Sequence, residues 1–214
     1  MSHRKRPLAA ALALNTVALV GEIGAGVPAK SLSLVMDGVH NISDEVALAF
    51  LLLAYTLRVG LSGRFLRTAN LFNSVGLLAV SALVTWQVLE RLRHPQAILG
   101  VVPLVVGLGA AAANWGVARV LRDPARDDAA IRLAYFHNLG DTFVSLAPVA
   151  AGVLTLASGS PLVDPLVGLV IAAAVIIPTL RALISDRAEL VWPENVACGA
   201  PSPPADFETA QIPR

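Results

Sequence analysis

Six stretches of about 20 or more mostly apolar residues follow one another along the chain, at 7–29, 32–57, 69–90, 97–118, 129–157 and 162–180. Charged residues, prolines and glycines separate them. A helix needs about 20 predominantly apolar residues to cross a hydrocarbon core of about 30 Å, so each stretch predicts a transmembrane α-helix. Pro148 inside the fifth predicts a kink rather than a split, and the sixth ends near Pro178. The first follows His3-Arg4-Lys5-Arg6, a layout shared with secretory signal peptides. Its apolar run exceeds the usual length of about 15 residues, and Asn15 and Glu22 interrupt it at i, i+7 spacing. It therefore reads as a resident span.

Composition agrees with lipid as the solvent. Of the 214 residues, 56% are hydrophobic and only 14% charged, against about 25% charged in soluble domains. A net charge of +1 gives no general attraction to nucleic acid. The single cysteine, Cys198, excludes an internal disulfide framework and a thiolate metal cluster. Lys and Arg are distributed asymmetrically. With the N-terminus in the cytoplasm, 13 of the 16 Lys and Arg residues fall on cytoplasmic segments, leaving Lys30, Arg91 and Arg93 outside. The positive-inside rule thus predicts six helices with both termini cytoplasmic. After Arg187 the chain turns Pro-rich, with Pro193, Pro201, Pro203, Pro204 and Pro213. The expected organisation is a transport domain over 1–190 and a short disordered cytoplasmic tail over 191–214.

One pattern occurs twice within these apolar spans: His40-Asn41-Ile42-Ser43-Asp44 and His137-Asn138-Leu139-Gly140-Asp141. A histidine and an aspartate four residues apart share one face of a helix. Each histidine lies eight residues into its span, about 12 Å deep at 1.5 Å per residue. The two spans run in opposite directions, so both pairs fall near the midplane. Ionisable groups there cost about 2.5–3.5 kcal/mol each and mark functional sites by default. Two imidazoles and two carboxylates suit a tetrahedral divalent ion such as zinc. Interhelical packing by polar residues is the bland alternative, and it leaves the matched depth unexplained. Haem held by two histidines leaves both aspartates without a purpose.

These residues carry a resemblance to the cation diffusion facilitator family of divalent-metal transporters. Residues 31–44 resemble that family's second transmembrane helix, and Ala134–Asp141 its fifth. Asn15, Glu22, Glu90-Arg91-Leu92, Pro95, Asn114 and Asp164-Pro165 are supporting matches. The resemblance implies that His40, Asp44, His137 and Asp141 are the metal ligands, with Asp37 supporting them or handling protons. It also implies metal–proton antiport, a multi-pass protein of the cell (inner) membrane, and a homodimer joined through its transmembrane helices. The family's usual cytoplasmic C-terminal domain has no counterpart in the tail, and the 123–128 loop lacks the histidines of some zinc-handling members.

Ligand chemistry narrows the cargo. Two nitrogens and two oxygens disfavour magnesium and calcium, which prefer oxygen shells, and copper(I), which prefers sulfur. Zinc comes first, with cobalt, nickel and cadmium next. The expected function is export of a divalent cation in exchange for protons, with the metal as cargo and no cofactor. Protons compete with metal at histidines whose unperturbed value is near 6.5. Gly38 and Gly140 are expected to let helices approach closely. The alternative class is a membrane-embedded zinc-dependent hydrolase. Four protein ligands weigh against it, because catalytic zinc keeps an open position.

Overall fold

A computed structural model describes residues 2–57 and 63–184. The expected tail over 191–214, with Cys198, lies outside the described residues. Among the described residues there are seven α-helices: α1 (Ser2–Ala29), α2 (Leu32–Leu57), α3 (Gly63–Arg93), α4 (Val101–Leu121), α5 (Ala129–Val144), α6 (Leu146–Ser158) and α7 (Val163–Ile184). A 3-10 turn, Pro124–Arg126, joins α4 to α5.

The fifth apolar stretch became two helices that make one crossing, Ala130–Ser158. Pro148 has no N–H to offer the carbonyl of Val144, so the hydrogen-bond ladder lapses at Ser145. The backbone of Ser145 stays right-handed (φ −65°, ψ −10°) and the chain continues. The disturbance expected at Pro148 is thus an interruption of the helix three residues upstream, within a single apolar segment.

Among the described residues, five segments are long and apolar enough to cross a membrane: Arg4–Ala29, Ser74–Arg93, Val101–Leu121, Ala130–Ser158 and Val163–Arg181. The remaining expected span, the second at 32–57, is α2, long enough at 26 residues but too polar for that set. It carries Asp37, His40, Asn41, Asp44 and Glu45 within nine positions. Its neighbours shield these groups. Helices α1, α2, α4 and α5–α6 pack together, α3 pairs with α7, and α2 touches both groups.

The interior holds a layer of polar residues within an otherwise apolar core. Asn15, Glu22, Asp37, Asn41, Asp44, Asn114, Asn138 and Asp141 are buried, while Val17, Val20, Leu83, Trp86, Phe143 and Val170 face outward. That inversion suits hydrocarbon as the solvent, where polar groups must find partners within the bundle. Two apolar clusters bracket the polar layer. One holds Leu48 and Leu51 of α2 with Leu8, Val117 and Ile131; the other holds Met36 and Val39 with Val84, Ile171 and Val175.

The start of α2 is held by α7. Asp164, fully buried, accepts hydrogen bonds from the Ser31 hydroxyl (2.7 Å), the Leu32 backbone N–H (2.6 Å) and the Ser33 hydroxyl (2.5 Å). A carboxylate here satisfies an otherwise orphaned N–H and complements the positive end of the helix dipole. Asp164→Ala should therefore cost about 2–4 kcal/mol, since three buried donors lose their acceptor. Thermal unfolding in detergent checks this. A midpoint equal to that of the unchanged protein would show that the tie contributes nothing to stability.

Candidate metal centre

Residues at i and i+4 stack on one helix face, so each motif presents its imidazole and its carboxylate together. Helices α2 and α5 bring the two faces into contact in an antiparallel register. His40 Nε2 lies 3.0 Å from Asp141 Oδ1, and His137 Nε2 lies 2.7 Å from Asp44 Oδ1. Each histidine thus meets the other helix's aspartate, as opposed directions require. Within each helix the contacts are longer, 3.9 Å for His40–Asp44 and 3.6 Å for His137–Asp141. The imidazole centroids are 5.8 Å apart at 62°.

One ligand atom from each of His40, Asp44, His137 and Asp141 lies within 4.8 Å of all the others. A tetrahedral zinc with bonds of about 2.0–2.1 Å would set its ligands about 3.4 Å apart. The four contacts of 2.7–3.9 Å bracket that value. These four side chains could therefore hold a metal ion with small rotamer shifts. Both carboxylates are nearly dry, with side chains 3% and 6% exposed, whereas the His137 side chain is 50% exposed. Two carboxylates buried this deeply demand positive charge beside them.

Asp37 does not join the four. It sits one turn before His40, 1% exposed, beside the Glu22 and Ser145 side chains. The two glycines behave differently. A Cβ on Gly38 would lie 2.7 Å from Ile23 Cδ1 and 3.2 Å from Glu22 Cβ, so this glycine does permit the approach of α1. A Cβ on Gly140 would meet nothing within 4 Å, so the close approach expected there is absent. Gly140 lies on the outward side of α5.

The polar residues around the four form a scaffold that spacing alone did not reveal. Asn41 Nδ2 donates to Glu22 Oε2 at 2.6 Å, and Asn15 Nδ2 donates to the Asn41 carbonyl (3.2 Å) and to Glu45 Oε2 (2.9 Å). These bonds fix the rotation of α2 against α1, and with it the direction of His40 and Asp44. On the other side Asn114 of α4 donates to the Ser145 hydroxyl at 3.0 Å, where α5 ends. The i, i+7 placement of Asn15 and Glu22 signalled a polar face on α1, but not its partner.

A family model for the cation efflux transmembrane domain matches residues 8–191. The chain belongs to this family. Among curated relatives, the zinc transporter ZitB of Escherichia coli is 26% identical over 198 residues, covering 88% of this chain and 63% of its own. The cadmium, cobalt and zinc/H(+)-K(+) antiporter of Bacillus subtilis is 25% identical over 182 residues, 80% of this chain and 58% of the relative. The metal cation efflux system protein CzcD of Cupriavidus metallidurans is 28% identical over 175 residues, 78% and 55% respectively. The matched region thus spans about three-fifths of these relatives' length. The cation efflux family comprises membrane transport domains, which sets the hydrolase alternative aside.

Proposed function

We propose that this protein exports a divalent cation, zinc foremost, from the cytoplasm in exchange for protons, with His40, Asp44, His137 and Asp141 as the four ligands. The observation that carries the reading is the cross-paired tetrad between α2 and α5, with both aspartates buried and its contacts bracketing the spacing of a tetrahedral ion. The names of the relatives support it: one is a zinc transporter, and another an antiporter of cadmium, cobalt and zinc against protons and potassium.

Charge explains the exchange. A divalent ion with two neutral imidazoles and two carboxylates is electroneutral. So is the metal-free site when each histidine carries a proton. The tetrad then carries no net charge in either state, which avoids a costly charge in the bilayer interior. Metal binding must displace those protons, which couples the two fluxes at a single site. Alternating exposure of the midplane to the two faces completes the cycle.

Orientation with both termini cytoplasmic follows the basic residues. Arg4, Arg119, Arg122 and Arg126 gather at one end of the bundle, and Lys30, Arg91 and Arg93 lie at the other. Self-association would come from the transmembrane helices, whose lipid-facing surface includes Leu83 and Trp86 of α3.

Proteoliposomes loaded with a zinc indicator, with an imposed pH difference, test the function. Zinc should accumulate against its gradient as protons leave, and no uptake under either pH polarity would reject the reading. Ligand identity gives a second check. His40→Asp makes the site richer in oxygen, and hard ions favour oxygen. Manganese transport should rise relative to zinc by about tenfold or more, a change of about 1.4 kcal/mol in selectivity. An unchanged metal order would mean that His40 does not touch the ion.

A further inference from the structure

Helix α2 is anchored at each end by an aspartate from another element, Asp164 within α7 and Asp128 at the N-cap of α5, and the two anchors differ in kind. At its start, Asp164 is fully buried and accepts three hydrogen bonds. The backbones are close there too: a Cβ on Gly168 of α7 would lie 3.2 Å from Ser33 N. This end is a joint. At the other end the tie is polar and partly exposed. Asp128 Oδ2 accepts from Arg4 Nη1 at 2.8 Å and from the Tyr55 hydroxyl, while its Oδ1 caps α5 by accepting from Ala130 N (3.0 Å) and Ile131 N (3.2 Å). The Arg4 side chain is 35% exposed and that of Asp128 10%.

One carboxylate thus clasps α1, α2 and the beginning of α5. Tyr55 follows Asp44 by 11 residues and Asp128 precedes His137 by nine, which puts the clasp about 14–17 Å from the tetrad along the helices. The tetrad draws its ligands from α2 and α5, the two elements that the clasp holds together at this end. A partly wet contact of three side chains can break and re-form at far lower cost than the dry, triply bonded joint at Asp164.

We propose that Asp128 is the gate residue of this face. The Arg4–Asp128–Tyr55 clasp closes the route between α2 and α5, and it parts as α2 swings about its Asp164 joint to admit metal. The inference rests on the transport reading and adds to it the residues that decide which face the tetrad sees.

Two variants separate gating from folding. Tyr55→Phe removes only the hydroxyl. Asp128→Asn keeps an oxygen for the α5 cap, a position where Asn serves as well as Asp, but loses the charge that holds Arg4. Zinc transport is measured in proteoliposomes of determined orientation, with zinc presented in turn at each face, alongside thermal unfolding in detergent. Both variants should lower KM for zinc at the Asp128 face by about three- to tenfold, because the open population grows. KM at the opposite face should rise, and unfolding midpoints should hardly move. Asp128→Glu, with its carboxylate retained, should stay closer to the unchanged protein than Asp128→Asn does. KM values at both faces equal to those of the unchanged protein in Tyr55→Phe would overturn the gate, as would a lower midpoint with no change in KM. Should Asp128→Asn fail to fold, Tyr55→Phe decides alone. An unchanged protein that moves no zinc overturns the transport reading instead, a result distinct from any of these.

Discussion

Asp44→Ala is expected to abolish zinc transport while leaving membrane insertion intact, and His40→Ala, His137→Ala and Asp141→Ala should each do the same. Even partners one shell beyond a metal ligand are worth about 10–100-fold in affinity, so losing a ligand itself should cost at least about 100-fold. Asp44 should be the most damaging. It lies within 2.7 Å of His137 and 3.9 Å of His40, and its removal leaves both imidazoles with one carboxylate between them. Expression level and elution profile in detergent show whether the bundle survives, and zinc uptake in liposomes reads the function. Two or more of the four variants transporting at the unchanged rate would show that the tetrad is not the transport site.

Zinc affinity should fall steeply as pH falls. The sign follows from the species that binds: metal requires both imidazoles neutral and both carboxylates ionised, so every proton taken up by the empty site opposes metal. Affinity is therefore lost on the acid side and regained on the alkaline side. With two histidines in the site, the logarithm of the binding constant can rise with up to twice the slope of pH. His137→Ala should lessen that slope as well as the affinity. Titration calorimetry near pH 5.5 and 7.5 measures it. Equal affinities at the two values would remove the proton coupling from these ligands.

The helices and the grouping of His40, Asp44, His137 and Asp141 were legible in the sequence because the physics that specifies them is local. Apolar runs long enough for a bilayer had to be helices, and a repeated i, i+4 pair at matched depth had to share a face. What stayed hidden depends on partners distant in sequence. The register of α1 against α2 rests on Asn41 reaching Glu22, 19 residues away, and nothing in either segment names the other. Asp128 drew no reading beyond its place in the 123–128 loop; its clasp on Arg4, 124 residues away, needed the bundle to be assembled. The interruption at Ser145 is an intermediate case. Pro148 announced a disturbance, but the lost hydrogen bond belongs to the carbonyl of Val144, one turn earlier. Gly140 shows the opposite error: a glycine in a motif invited a packing role that the outward side of α5 does not provide.

The central claim is that two imidazoles and two carboxylates from α2 and α5 surround one divalent ion. Zinc K-edge X-ray absorption on the purified protein with one equivalent of zinc tests it most directly. The account predicts four nitrogen and oxygen neighbours at about 2.0–2.1 Å, with outer-shell scattering from two imidazoles. In Asp44→Ala one oxygen should be lost or replaced by solvent. A first shell of six oxygens, a sulfur neighbour, or a spectrum that Asp44→Ala and His137→Ala leave unaltered would place the ion elsewhere and contradict the account.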